Sequence, residues 1–196
     1  MTFYNFARGL VSIVFGAMFR IKIQGKEHIP TKGRIVICSN HVSLLDPIIV
    51  AIAVPRQVFF MAKKELFRSK LLGTVIRKLG AFPVDREGAD LLAVRSSLKI
   101  LKNEQALGIF PEGTRIKEHD ISNAKPGIAM MSIKGKASII PIHIDTQYKV
   151  FREVKVTIGE AVCLEEYFDK KLSIEEYTEI SKKVMNKIYD LKRTEK

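Results

Sequence analysis

The sequence predicts an α/β fold: a single domain with a mixed, largely parallel sheet flanked by helices, and an apolar interfacial helix at the N-terminus. Short apolar runs rich in Val, Ile and Phe alternate along the chain with helical patterns, and such runs are typical of strands buried on both faces. This alternation indicates parallel strands joined by helical crossovers. The 196 residues suit one domain, and neither an internal repeat nor a Gly/Ser-rich linker divides them.

Each element follows from its own stretch of sequence. The apolar runs predict strands over residues 20–24, 35–39, 58–62, 81–84, 107–110, 138–144 and 154–158. Helical patterns cover residues 47–53, 66–79, 90–103 and 126–134. A last helix begins at Ser173, because Ser173 and Glu176 have the spacing of a capping box. Its apolar residues recur every three or four positions and form one face, interpreted as a packing face rather than a partner-binding one, at Tyr177, Ile180, Val184, Ile188 and Leu191.

The N-terminal segment 3–19 is mostly apolar and is interrupted by Arg8. Its uncharged part, residues 9–19, is too short to cross a bilayer as a helix, which takes about 20 residues. A helix lying in the membrane interface fits this composition, and basic residues nearby favour anionic headgroups. An ordinary helix covering the core is the alternative. We therefore divide the chain into a membrane-interface helix, residues 1–20, and an α/β domain, residues 21–196.

The chain is strongly basic. Thirty-three Lys and Arg residues against 21 Asp and Glu give a net charge of +12. This surplus predicts an anionic partner: nucleic acid, a phospholipid surface, an acidic protein or a phosphorylated substrate. The basic residues are dispersed and most aromatic residues lie in apolar runs, which argues against a nucleic-acid-binding module. The two cysteines, Cys38 and Cys163, give no sign of a disulfide framework or a Cys-based metal site.

The segment 40–46, Asn-His-Val-Ser-Leu-Leu-Asp, follows the strand predicted at 35–39. His41 and Asp46 form the minimal pair for general-base catalysis, because an imidazole takes a proton near neutral pH and a carboxylate orients it. Pro47 suits the first turn of a helix, so Asp46 is expected near a helix N-terminus. Asp46 therefore has two alternative roles: it caps that helix, or it accepts the Nδ1 proton of His41.

A second polar segment, residues 110–115 with the sequence Phe-Pro-Glu-Gly-Thr-Arg, also follows an apolar run. Gly113 lets the backbone approach a ligand closely, and Arg115 offers a planar fork suited to a phosphate. Glu112 needs a partner if it is buried, and a polar turn with a Glu112–Arg115 ion pair is the alternative. Because loops at the carboxyl ends of strands converge in an α/β sheet, we expect the two polar segments to meet in one crevice.

Four blocks in this order resemble the glycerolipid acyltransferase family, in particular its bacterial 1-acylglycerol-3-phosphate acyltransferases. The two polar segments are the first and third blocks. The second block is Gly-Ala-Phe-Pro-Val-Asp-Arg at 80–86, and the fourth is Ile-Ile-Pro-Ile at 139–142. The sequence departs from the family pattern at Pro83, where a hydrophobic residue is common. It also carries one clear apolar helix before the first block, where relatives have more.

The resemblance implies direct acyl transfer that yields phosphatidic acid in phospholipid biosynthesis. His41, oriented by Asp46, would deprotonate the sn-2 hydroxyl of 1-acylglycerol 3-phosphate, and the alkoxide would attack an acyl thioester. No covalent acyl-enzyme is expected, so Ser43 supports the loop. Acyl-acyl carrier protein or acyl-coenzyme A would be a co-substrate, with no further cofactor and no metal ion. The other implied site residues bind substrate: Lys63, Arg86 and Arg115 at the phosphate, with Glu112, Gly113, Thr114 and Pro141 around it.

Other functions fit less of the sequence. The motifs also suit an acyltransferase acting on glycerol 3-phosphate or another lysophospholipid. A serine hydrolase is disfavoured because the chain has no Gly-x-Ser-x-Gly elbow. A non-catalytic membrane-associated protein would explain the apolar helix and the charge but not the ordered polar blocks. The other histidines, at positions 28, 119 and 143, have no motif around them. The leading prediction is an acyltransferase on the cytoplasmic face of the cell membrane, monotopic or peripheral.

Overall fold

The computed structural model describes residues 3–85, 90–114, 121 and 124–192. Over these residues the chain forms a seven-stranded sheet with helices on both faces. The strands are β1 (Arg20–Gln24), β2 (Ile35–Ser39), β3 (Val58–Lys63), β4 (Phe82–Val84), β5 (Ala106–Ile109), β6 (Ser138–Thr146) and β7 (Glu153–Ile158). The α-helices are α1 (Phe3–Met18), α2 (Asp46–Ala53), α3 (Lys70–Lys78), α4 (Leu91–Lys102), α5 (Gly127–Gly135) and α6 (Ile174–Asp190).

The strand order is β1-β7-β6-β2-β5-β3-β4. Neighbouring strands are parallel, except that β6 and β7 run antiparallel. The prediction of a mixed, largely parallel sheet is therefore confirmed. Because β2 and β5 are parallel neighbours, with Cys38 paired to Ile109, their carboxyl ends lie at the same edge of the sheet. This edge receives the residues that follow each strand, which are the two polar segments.

The core lies on both faces of the sheet, as alternating residues of β2 show. Ile35 and Ile37 belong to one apolar cluster, which includes Ile49 and Val50 of α2. Val36 and Cys38 belong to the other, which α4, α5 and α6 cover with Leu101, Ile128 and Ile180 among others. A strand that is buried on both faces reads as a continuous apolar run, which is why its sequence predicted it.

The helix predicted over residues 66–79 is wrong in its first part. The structure has a 3-10 helix at Lys64–Phe67, and α3 begins only at Lys70. Ser69 separates the two, because its backbone is extended and its hydroxyl accepts a hydrogen bond from the Leu72 N–H. A serine in this position starts a new helix rather than continuing an old one.

The predicted start of the last helix is confirmed. A capping box begins α6, in which Ser173 and Glu176 each accept a backbone hydrogen bond from the other. Pro83 lies in β4 at the edge of the sheet, opposite Ala62 of β3. An edge strand tolerates proline because its outer side needs no hydrogen-bond donor.

Helix α1 leaves most of its apolar side chains exposed. Tyr4 is its buried residue, while Phe6 and Ile13 are 62% and 73% exposed. Leu71 of α3 is 80% exposed, and the ammonium of Lys78 in α3 lies 5.6 Å from the centre of the Phe3 ring. The C-terminal end of α3 therefore lies near the start of α1. None of the helices in the described ranges has the length and apolar character needed to cross a bilayer.

Candidate active site

The first polar segment leaves the carboxyl end of β2 and is fixed to the neighbouring strand β6. The side-chain amide of Asn40 donates to the Ile144 carbonyl over 2.9 Å, and its oxygen accepts from the Ile144 N–H over 2.8 Å. Through these two hydrogen bonds the Asn40 side chain extends the pairing of β2 with β6 by one residue beyond Ser39, the last residue of β2. His41 therefore leaves the sheet from a rigid position.

His41 and Asp46 form a buried hydrogen-bonded pair. The Nδ1–H group of His41 donates to Oδ2 of Asp46 over 2.8 Å, and Asp46 is 0% exposed. The backbone N–H groups of Val42 and Ser43 donate to the same oxygen over 2.6 and 2.7 Å. A carboxylate bound to Nδ1 leaves Nε2 without a proton in the neutral ring, so that Nε2 can act as a base.

The structure decides between the two roles of Asp46. Helix α2 begins at Asp46 itself, and its N-cap residue Leu45 makes no side-chain capping bond. The Asp46 carboxylate instead accepts hydrogen bonds from the loop that precedes it, including His41. Ser43 supports this loop as expected, because its hydroxyl accepts from the Leu45 N–H over 3.2 Å. Asp46 therefore orients the histidine and does not cap α2.

The second polar segment meets the first through stacked aromatic rings. The Phe110 ring lies parallel to His41, with 4.2 Å between the ring centres and 22° between the planes. Phe60 of β3 also stacks with Phe110, with 5.7 Å between the ring centres and 13° between the planes. The stack is possible because position 108 of β5 is glycine. A Cβ atom there would lie 2.3 Å from the Phe60 ring.

Glu112 follows Phe110 in the second polar segment and is almost fully buried, at 1% exposure. Its Oε1 accepts a hydrogen bond from the Tyr189 hydroxyl over 2.8 Å, while its Oε2 has no well-formed hydrogen bond to the described residues. Burial raises the pKa of Glu112, and this effect outweighs four opposing ones. These are its own backbone N–H, the Tyr189 hydroxyl, the charge of His41 and the His41 backbone. A buried carboxylate with spare acceptor capacity is costly, which is typical of a group kept for function.

A cavity of about 140 Å³ opens beside the pair. Its wall is largely apolar and is formed by His41, Met61, Val84, Gly108, Ile109, Phe110 and Gly113. Gly113 has a left-handed backbone, with φ of 66°, so its substitution would strain the turn. The cavity places an apolar surface next to His41, which suits a substrate with a lipid chain. Within the described ranges, no three His, Cys, Asp or Glu side chains gather as metal ligands would.

Lys63, Thr114 and Pro141, also predicted as site residues, are not among the residues that line this cavity. Lys63 ends β3 and is exposed, 3.9 Å from Glu65. Thr114 is exposed in the turn after Gly113. Pro141 is buried in β6, and its carbonyl accepts from the Gly159 N–H. Arg86 and Arg115, the predicted phosphate-binding residues, lie outside the described residues, as does His119.

Two tyrosines of the site were missed by the sequence analysis. The Tyr148 hydroxyl donates to Oδ1 of Asp46 over 2.6 Å, and Tyr189 holds Glu112. Tyr148 follows β6 and Tyr189 lies near the end of α6, so each is far in sequence from its carboxylate. No motif surrounds either residue, and the periodicity of α6 directs attention to its apolar face. Only the folded chain identifies them.

Comparison with known proteins agrees with this geometry. A family model described as Acyltransferase matches residues 20–145. A 1-acyl-sn-glycerol-3-phosphate acyltransferase of Bacillus subtilis is 34% identical over 139 residues, which are 70% of this chain and 69% of that protein. One of Streptococcus pneumoniae is 34% identical over 149 residues, which are 71% of this chain and 53% of that protein. The chain thus spans about half to two thirds of the length of these curated relatives.

A solved structure shows the same fold. It is the crystal structure of the 1-acyl-sn-glycerophosphate acyltransferase from Thermotoga maritima, with a TM-score of 0.73 and 24% sequence identity. The alignment covers 95% of this chain and 79% of that one. The family model spans both polar segments, and the structure brings those segments together around a histidine and a carboxylate. This chain therefore belongs to the acyltransferase family.

Proposed function

We propose that this protein transfers a fatty acyl chain from an acyl thioester to the sn-2 hydroxyl of 1-acylglycerol 3-phosphate, giving phosphatidic acid. The observation that carries the proposal is the buried His41–Asp46 pair, hydrogen-bonded over 2.8 Å beside an apolar cavity. The relatives from Bacillus and Streptococcus, named for this acceptor, support the proposal. The product places the reaction in phospholipid biosynthesis.

The chemistry is direct acyl transfer with general-base catalysis. Nε2 of His41 takes the proton of the acceptor hydroxyl as its oxygen attacks the thioester carbonyl carbon, and a tetrahedral intermediate forms. The C–S bond then breaks, and the leaving thiolate takes the proton from the imidazolium. Asp46 stabilises the imidazolium between these steps and keeps the ring in its productive tautomer. No bond forms between acyl group and protein, so no nucleophilic side chain is needed.

The acceptor's phosphate is assigned to three cationic residues predicted from the sequence. Arg86, Arg115 and Lys63 are the proposed ligands, since arginine binds phosphate in a bidentate manner and lysine as a point charge. Glu112, Gly113, Thr114 and Pro141 complete the proposed acceptor site. The acyl donor is acyl-acyl carrier protein or acyl-coenzyme A. A net charge of +12 suits either the acidic carrier protein or the phosphates of coenzyme A.

The lipid acceptor makes a membrane position part of the proposal. Residues 1–20 form the membrane-interface helix, and residues 21–196 form the acyltransferase domain on the cytoplasmic face. The exposed apolar side chains of α1, and the exposed Leu71 of α3, support this arrangement. A basic residue beside α1, Lys78 of α3, whose ammonium lies 5.6 Å from the centre of the Phe3 ring, would meet anionic headgroups. Attachment would be monotopic or peripheral.

The test is acyl transfer to lysophosphatidic acid in mixed micelles, with acyl-coenzyme A and acyl-carrier-protein donors assayed separately. We expect His41→Ala to fold normally and to lose activity by roughly 10²- to 10⁴-fold. His28→Ala is the matched control, because His28 bonds to the Ile158 carbonyl away from the cavity. A folded His41→Ala variant with full activity would refute the general-base mechanism. An inactive wild type with both donors would refute the acceptor assignment, and glycerol 3-phosphate and other lysophospholipids would be tried next.

A further inference from the structure

We propose that Tyr148 is a positioning residue of the acyl-transfer reaction. Its hydroxyl holds Oδ1 of Asp46, so that the carboxylate presents Oδ2 to His41. The proposal rests on the proposed function of the His41–Asp46 pair. It concerns a residue beyond the four sequence blocks and beyond the segment that matches the family model, which ends at residue 145.

The two oxygens of Asp46 are held by different parts of the chain. Oδ2 accepts from Nδ1 of His41 and from two backbone N–H groups of the same loop. Oδ1 accepts from the Tyr148 hydroxyl over 2.6 Å, and Tyr148 is its one hydrogen-bond partner among the described residues. A carboxylate held at one oxygen can still rotate about its Cβ–Cγ bond, whereas donors at both oxygens fix its plane. The tyrosine therefore sets the direction in which Oδ2 faces the imidazole.

Tyr148 is itself fixed from two sides. Its backbone N–H donates to the hydroxyl of Thr146 over 3.0 Å, and its ring meets the edge of Phe19 at 6.0 Å and 81°. Phe19 is buried directly after α1. The same loop is tied to the end of α1 by a hydrogen bond from the Phe151 N–H to the Met18 carbonyl over 2.7 Å. The hydroxyl thus reaches Asp46 from a firmly anchored loop.

The chemistry of the contact suits a lasting donor. Burial, together with the charge and the hydrogen bond of Asp46, raises the pKa of Tyr148 far above its usual range. The phenol therefore stays protonated, and its hydroxyl donates a hydrogen bond to Asp46 at every pH at which the protein works. Two other titratable groups lie close by: His41, which bonds Oδ2, and Glu112, which comes from the turn after β5 and faces the charge of His41. Neither contacts Oδ1, so the role of Tyr148 is separable from theirs.

The test is Tyr148→Phe, which removes the hydroxyl and keeps the ring that packs on Phe19. We expect kcat to fall by about tenfold or more, because a hydrogen bond to a charged group is lost, with KM for both substrates within twofold. Tyr167→Phe is the matched control, since Tyr167 lies in the other apolar cluster, and it should retain wild-type kcat. In an Asp46→Asn background, the further loss on Tyr148→Phe should shrink to twofold or less, because Tyr148 acts through the carboxylate.

A second readout does not depend on the substrate. The Nδ1 proton of His41 gives a downfield ¹H NMR signal when it is bound to a carboxylate, and we expect this signal to move in Tyr148→Phe but not in Tyr167→Phe. An unmoved signal together with an unchanged kcat would overturn the proposal. If Tyr148→Phe lowers kcat by the same factor in the wild-type and the Asp46→Asn backgrounds, the proposal is also overturned. A wild type inactive towards lysophosphatidic acid would count against the proposed function alone, since the NMR comparison still tests the positioning role.

Discussion

The Tyr189 hydroxyl lies 2.8 Å from Oε1 of Glu112, which joins the last helix of the domain to the turn after β5. Seventy-seven residues separate the two side chains in sequence. Glu112 belongs to a block shared with the family, whereas Tyr189 belongs to a helix that the family model does not reach. The carboxylate therefore depends on a residue that lies outside the shared blocks.

Removal of this hydrogen bond should weaken the enzyme most at low pH. The Tyr189 hydroxyl lowers the pKa of Glu112, which burial raises, so Tyr189→Phe raises that pKa further. A larger fraction of Glu112 is then protonated at mildly acidic pH. We expect kcat/KM to fall by roughly tenfold, with the loss growing as the pH decreases. Tyr177→Phe, on the apolar face of the same helix, is the control. A loss that is equal at all pH values would contradict this account.

Glu112→Gln should stabilise the fold while reducing activity. Because the pKa of Glu112 is raised in the folded state, the ionised carboxylate lowers the free energy of unfolding above that pKa. This loss of stability is absent at pH values below the pKa of Glu112 in the unfolded chain, where the carboxyl group is protonated in both states. We therefore expect the glutamine variant to be more stable than wild type in urea unfolding at pH 7, with the difference disappearing towards pH 4.

Glu166→Gln serves as the comparison for that experiment, since Glu166 is exposed in a 3-10 helix. It should not change stability at either pH. A Glu112→Gln variant that is less stable than wild type at pH 7 would mean that the Tyr189 hydrogen bond and the charge of His41 outweigh burial. The direction of the difference thus reports which effect dominates at this carboxylate.

Gly108→Ala should disturb the stacked rings next to His41. The added Cβ would lie 2.3 Å from Cε1 of Phe60, so the ring must shift, and Phe110 and His41 stack in series behind it. We expect the free energy of unfolding to fall by about 1–3 kcal/mol, together with a loss of activity. Gly16→Ala is the opposite control, because nothing lies within 4 Å of its Cβ and alanine favours a helix. A Gly108→Ala variant with wild-type activity would show that the stack does not position His41.

Binding to anionic vesicles should depend on both the charge and the apolar face of α1. Attraction between the basic chain and the headgroups weakens as salt rises. Ile13→Ser removes a side chain that is largely exposed in the free protein, and we expect it to weaken binding by about tenfold. Ile174→Ser, at the start of α6, is the exposed-residue control. If flotation with phosphatidylglycerol vesicles is equal for both variants, α1 is a packing helix and not a membrane-interface helix.

The sequence allowed the strands and the two polar segments to be predicted, because buried parallel strands and short motifs are local signals. The apolar run Ile35, Val36 and Ile37 indicates a buried strand even when the neighbouring strands are not known. The start of α3 was misplaced because the apolar pattern continues across Ser69, and only the hydroxyl contact with Leu72 shows the break. The two tyrosines could not be predicted, since their hydroxyls acquire a role only when β6 and α6 come to lie beside distant carboxylates.

The positions of Tyr148 and Tyr189 bear on how this enzyme can be divided and recombined. The segment that matches the family model, residues 20–145, contains every residue of the four blocks but neither tyrosine. A chimera that exchanges only that segment between relatives would keep the motifs. It would combine Asp46 and Glu112 from one protein with the residues at positions 148 and 189 from another, so the hydrogen bonds to both carboxylates could be lost. Grafting experiments on this scaffold therefore need the boundaries of the exchanged piece to extend through α6.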